Sequence, residues 1–176
     1  KGVIWYQGET DAVFGDSIIY KKFFKQLITS WRSEFAQGDF PFVFVQLANH
    51  EDLQTENADF HWANLRNSQT SALDLPNTAM AVTIDIGETL DIHPKNKKDV
   101  GKRLGLCALN LAYDKDVACS APVFDIAEFN ETECVISFNP HNDPVFFKPV
   151  NGATGLEISC DIKAFKRADA KLENNR

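Results

Sequence analysis

The sequence predicts an α/β protein built on a parallel sheet and followed by a β-rich segment. Three observations predict it. Apolar runs and helix-period stretches alternate over the first two thirds of the chain. One of those runs, PFVFVQLA, is apolar almost throughout, as a strand covered on both faces must be. Near Lys115 the helical period stops, and short alternating segments separated by turn formers take over.

The elements follow in order. Val3 to Tyr6 is a strand, and Glu9 to Phe14 is a loop after it. Asp16 or Ser17 caps a helix to Phe35, with Tyr20, Phe24, Leu27, Ile28, Trp31 and Phe35 at helical spacing. Pro41 to Ala48 is the second strand, and Asn49 to Ala58 a polar loop. Asp59 caps a helix to Leu73, which Pro76-Asn77 ends. Thr78 to Ile84 is the third strand, and the loop from Asp85 to His93 follows. Pro94 opens a helix to Tyr113, with Val100, Leu104, Cys107, Ala108 and Leu111 on its apolar face. Such alternation implies parallel pairing. Strands are then expected over Val123 to Phe129, Cys134 to Phe138 and Leu156 to Cys160, with turns at Asn139-Pro140, Asn142-Asp143-Pro144 and Asn151-Gly152. The domain division is 1–115 for the α/β part and 116–176 for a β-sandwich-like module with too few strands to close.

Composition narrows the function classes. The chain has 176 residues, 44% hydrophobic and 24% charged, with net charge −7 and pI about 5.0. That acidity argues against nucleic acid, which requires a basic stripe. No apolar run is long enough to span a membrane. The chain opens directly on a strand and stops on a turn-like sequence, so it reads as part of a longer protein. Cys107, Cys119, Cys134 and Cys160 share no CxxC spacing, which argues against zinc. Cys107 falls on an apolar helix face as a core thiol, and the other three leave room for one disulfide.

In open parallel sheets, sites gather at the C-terminal strand ends. Gln7-Gly8-Glu9, Asn49-His50-Glu51 and the Asp85-to-His93 loop all follow strand ends and are expected on one rim. His93 precedes a proline and is therefore held extended, where it can act as a general base. Asp91 can orient its imidazole or cap the helix. Gln7 or the Gly8 N–H can donate to an oxyanion, while Glu9 can serve as a second acid or simply be solvated. His50 and Arg66 are possible substrate contacts, Arg66 through a carboxylate, although an ion pair would explain Arg66 as well. His61 reads as a packing residue, and His141 lies in the β-rich region. No residue set has metal-site spacing.

The stretches GVIWYQGETDA, YKKFFKQLITSWR, PFVFVQLAN, WANLRNSQ, LPNTAMAVTIDIGETLDIHPKNKKDVGKRL and GLEISCDIKAFKRADAKLENN, in that order, resemble the SGNH hydrolases, and within them the sialate O-acetylesterases and related carbohydrate acetylesterases. The resemblance implies a flavodoxin-like three-layer sandwich, present here in part, and a serine nucleophile. It implies His93 as base, Asp91 as orienting acid, and Gln7 and Gly8 at the oxyanion hole. Many members carry the acid three residues before the histidine, which is Leu90 here, so Asp85 and Glu9 stand as alternatives to Asp91. WANLRNSQ departs from an Arg-Glu-Ala-Gln pattern, with Arg66 and Gln69 kept.

The family's serine follows a Gly-Asp/Gln-Ser turn after a strand. Gly15-Asp16-Ser17 matches those letters, but no apolar strand feeds it and Ser17 heads an amphipathic helix. The nucleophile is therefore expected upstream of Lys1. The implied reaction is removal of O-acetyl groups from sugars, with 9-O-acetylated sialic acids foremost, no cofactor, and an extracytoplasmic location. An acetylated carbohydrate is the expected partner, and oligomeric state is left open. The alternatives are a carbohydrate-binding protein that keeps the fold without catalysis, and a xylan acetylesterase.

Overall fold

Strands β1 (Val3–Trp5), β2 (Phe42–Gln46) and β3 (Thr78–Val82) form a sheet in the order β1-β2-β3, with both pairs parallel. The structure is a computed structural model that describes residues 2–50, 60–119, 121–139, 157–159 and 166–169. Two compact units divide the chain: Lys1–Asp52 with Asp59–Ser120, and Leu53–Ala58 with Ala121–Arg176.

In the first unit the pleat sends alternate β2 side chains to opposite faces, and both faces are buried. Phe42 and Phe44 join Tyr20, Phe24 and Ile28 of α2 (Ser17–Phe35) and Leu65 of α3 (His61–Thr70). Val43 and Val45 join Ala79 and Ala81 of β3 and Val100, Leu104 and Cys107 of α4 (Lys97–Tyr113). Helices thus cover both sides of the sheet, giving three layers. Aromatic contacts tie the first layer: the Phe24 ring lies 5.2 Å from Phe44 edge-to-face, and Trp5 lies 5.8 Å from Trp31. Arg32, buried near the end of α2, donates to the carbonyls of Phe40 (2.9 Å) and Asn77 (3.1 Å), so one side chain pins the entries to β2 and β3.

Two sequence expectations are corrected. Glu9–Phe14 is not a loop but a helix, α1, started at Gly8 and closed by Gly15 in the left-handed region at φ 73°. Nor does Pro94 open the fourth helix, which begins at Lys97 behind Asn96. Asn96 accepts from the Asp99 N–H at 3.2 Å and donates to the Asp99 carboxylate at 2.7 Å. That side-chain cap sets the first turn of the helix at Lys97. The third helix begins at His61, is followed by a 3-10 turn over Ser71–Asp74, and has its expected cap, Asp59, outside the described residues.

In the second unit, β4 (Val123–Phe129) and β5 (Cys134–Asn139) pair antiparallel, with a register shift between Phe124 and Ile126. The Asn130 side chain accepts from the backbone N–H groups of Thr132 (2.9 Å) and Glu133 (2.8 Å), which makes the hairpin turn. β6 (Glu157–Ile158) and β7 (Lys166–Arg167) form another antiparallel pair. The turns expected from Pro140 to Gly152, together with His141 and Cys160, lie outside the described residues.

Candidate active site

The three parallel strands all point their C-terminal ends to one rim. There the chain continues as Gln7-Gly8-Glu9, as Leu47-Ala48-Asn49-His50, and as the loop from Thr83 to Asn96. Glu51 lies outside the described residues.

Gln69, on α3 and almost fully buried, joins the first two ends. Its Oε1 accepts from the Leu47 N–H at 2.9 Å, and its Nε2 donates to the Gln7 carbonyl at 3.0 Å. The Tyr20 hydroxyl donates to the same carbonyl at 3.2 Å. Burial pushes the Tyr20 phenol up to about 12, so it remains a donor across the working pH range. Gly8 sits beneath Gln69 with φ 139°, and a Cβ there would come within 2.8 Å of Leu65. Glycine is required twice over, by conformation and by space. The Gln7 side-chain amide donates to Asp11 at 2.7 Å, which leaves it a second N–H. Glu9 stands in the first turn of α1.

The second and third ends meet through Asn49 and Gly87. Asn49 Oδ1 accepts from the Gly87 N–H at 2.6 Å, and a Cβ on Gly87 would fall 1.8 Å from the Asn49 carbonyl oxygen. Thr83, fully buried, donates its hydroxyl to the Gln46 carbonyl at 2.6 Å. His50 Nδ1 lies 3.5 Å from the Glu88 carbonyl, and its ring is 5.1 Å from Trp62, whose indole N–H donates to Ala48 at 2.7 Å.

The third loop presents the proposed base. Asp91 Oδ1 accepts from the His93 backbone N–H at 2.9 Å and lies 3.8 Å from His93 Nδ1. That backbone hydrogen bond, helped by Lys95 and His93, holds the Asp91 carboxyl below the usual range, so it is ionised at neutral pH. The His93 side chain is 85% exposed, while the next residue, Pro94, is buried and anchors the turn. Lys95 bridges Glu88 (3.1 Å) and Asp91 (3.7 Å) across the loop.

Asp85 has a different partner from His93. Arg103 of α4 grips it in two-pronged fashion, at 2.5 and 2.7 Å, and also donates to the Val82 carbonyl at 2.6 Å. The guanidinium lowers the Asp85 pKa. Asp85 therefore fastens the loop to α4. Arg66 is half-buried, desolvation lowers its pKa, and its guanidinium has no hydrogen-bond or ion-pair partner among the described residues. His61 packs its ring against Gly15, a structural role. Ser17 is the first residue of α2, with helix α1 ahead of it where a nucleophile turn has a strand.

Sequence reasoning placed Asn49 and Gly87 on the rim but missed the contact between them, and it missed Arg103 and the bridging role of Gln69. Each acts through a contact distant in sequence; Asn49 and Gly87 follow strand ends, whereas Gln69 and Arg103 lie within helices and carry no such local signal. No group of three or more metal-ligating side chains occurs among the described residues. No helix of the described residues is long and apolar enough to cross a membrane.

Known proteins share this fold. A crystal structure of a carbohydrate acetylesterase from Xanthomonas citri superposes with a TM-score of 0.89 at 40% identity, over 98% of this chain and 40% of that one. The mouse and human proteins named sialate O-acetylesterase are each 35% identical over 141 residues, covering 70% of this chain. The chain spans 26% of the length of each of those relatives. The family profile described as "Carbohydrate esterase, sialic acid-specific acetylesterase" matches residues 1–109, which take in the whole rim from Gln7 to Arg103. On that profile and those relatives, the chain belongs to the sialic acid-specific acetylesterase family of carbohydrate esterases.

Proposed function

We propose that the protein hydrolyses O-acetyl esters on sugars, with 9-O-acetylated sialic acids as the leading substrate, outside the cytoplasm. The observation that carries this reading is the Asp91–His93 turn on the same rim as Gln7-Gly8. Asp91 faces Nδ1, so Nε2 is left to take a proton. In this mechanism a serine hydroxyl attacks the acetyl carbonyl carbon as His93 accepts its proton. The Gly8 N–H and the second N–H of the Gln7 amide receive the developing oxyanion. Collapse expels the sugar hydroxyl, which takes the proton from His93. Water, deprotonated by the same histidine, then releases acetate. His50 and Arg66 contact the sugar, and a half-buried guanidinium suits a carboxylate such as that of sialic acid. The serine comes from the longer protein, because Ser17 opens a helix. We read the β-rich unit as an appended module.

His93→Ala in the full-length parent is expected to lower kcat on p-nitrophenyl acetate by about three orders of magnitude or more. Retained activity would remove His93 from the mechanism. The 176-residue chain alone is expected to be inactive. If it were active and Ser17→Ala abolished that activity, Ser17 would be the nucleophile.

The position of Ser17 also favours a second reading, a carbohydrate-binding protein on the hydrolase fold. Calorimetry on the parent showing acetylated sugar bound without acetate release would select it. Comparing acetylated sialic acid with acetylated xylan would then assign the sugar.

A further inference from the structure

Beyond α4 the chain turns back along the helix it has just left. Asp114 takes the left-handed conformation at φ 50°, and the Lys115 N–H bonds the Leu109 carbonyl at 3.0 Å. The Asn110 side chain then donates to the carbonyls of Lys115 (3.4 Å) and Val117 (3.2 Å). This return lays Cys119 against Cys107. The Cys107 Sγ donates to the Cys119 carbonyl at 2.7 Å, and the two side chains share one apolar cluster. Cys107 is fully buried, and Cys119 is half-buried at the edge. Cys107, Cys119 and Cys134 form no disulfide in the structure.

We propose that Cys107 and Cys119 are a redox pair that closes to a disulfide under an oxidant of the disulfide class, stapling the end of α4 to the segment that follows it. The approach is set by the Lys115–Leu109 backbone hydrogen bond and by the two bonds that the Asn110 side chain donates, so the fold of the return segment brings the two residues together. A disulfide needs the two side chains side by side, and here one sulfur touches the other residue's backbone while both side chains pack in one cluster. The reaction balances as thiol–disulfide exchange. The half-buried Cys119 thiolate attacks oxidised glutathione, forming a mixed disulfide and releasing one glutathione. Cys107 then loses its proton and attacks the Cys119 sulfur, releasing the second. Two thiols are oxidised and one disulfide is reduced. The neighbouring Cys119 thiol and burial both push the Cys107 thiol up, which assigns it the later, resolving step.

The test is oxidation of the folded full chain with oxidised glutathione, followed by blocking of thiols and peptide mapping without reduction. The expected map joins the Cys107 and Cys119 peptides, and Tm rises by about 5–10 °C over the reduced protein because a short loop has been closed. Cys119→Ser is expected to show neither change. Its reduced form is expected to melt with reduced wild type, since the carbonyl that Cys107 meets is untouched by the substitution. Cys107 and Cys119 both recovered as blocked thiols, Cys119 joined to Cys134 or Cys160, or a 107–119 bridge that melts no higher than the reduced chain would each overturn the proposal.

Discussion

The Lys97 ammonium sits 4.9 Å above the Tyr6 ring, so the first turn of α4 rests on the last apolar residue before Gln7. Tyr6 belongs to the segment that leads into Gln7-Gly8, and Lys97 to the helix that follows the His93 loop. This contact joins the first and third segments of the rim. Lys97→Ala is expected to cost about 0.5–1 kcal/mol in urea denaturation. Tyr6→Phe keeps the aromatic face and is expected to behave as wild type, whereas Tyr6→Leu matches the lysine loss. Equal stability of the Phe and Leu variants would show that the ring face contributes nothing.

Gln69→Leu is expected to destabilise the fold by about 2–4 kcal/mol, because it strands the buried Leu47 N–H and weakens the hold on the Gln7 carbonyl. Denaturant midpoints measure this. A change below about 0.5 kcal/mol, the scale of an ordinary surface substitution, would show that the bridge is not a structural contact.

Gly87→Ala is expected to lower stability by about 2 kcal/mol or more, since the added methyl group meets backbone that cannot swing aside. Asn49→Ala removes the acceptor and leaves that carbonyl in place, so it should cost less, about 1 kcal/mol. Thermal melts of the two variants should separate in that order, and the reverse order would refute the steric account.

Asp85 has a folded pKa below its unfolded one, through Arg103. Its contribution is therefore present above the unfolded value of about 3.9 and is lost as pH falls through the folded value. The pair is largely exposed, so solvent screening limits it to about 1 kcal/mol. Asp85→Asn should be less stable than wild type at pH 7, with the two converging below pH 3 or so. Parallel stability curves across that window would remove Asp85 from the acid limb.

The elements with long periodic patterns were legible in the sequence. PFVFVQLA carried an unbroken apolar run that marks a strand covered on both faces, and the Tyr20, Phe24 and Ile28 spacing specified the buried face of a helix. Helix α1 was missed because six residues hold less than two turns of pattern, and Gly15 as its left-handed cap is visible only in hindsight. The start of α4 was misplaced because the proline at position 94 serves the His93 turn, while Asn96 and Asp99 supply the cap. Local sequence singled out Asp91 and His93 because their relation is itself local. It did not indicate that Asp85 belongs to Arg103, because that partner lies a full turn and a half into the next helix.

Gln69 carries its acceptor oxygen and its donor nitrogen on one rigid planar group, and each bonds the tip of a different strand. The separation of those tips is then set by the length of an amide, a quantity that does not vary with the loops beyond it. Residues after Gly8 and after Leu47 can change in sequence without moving the two anchor points. A rim built this way can exchange its outer surfaces while the Gln7 carbonyl and the Leu47 N–H keep their spacing.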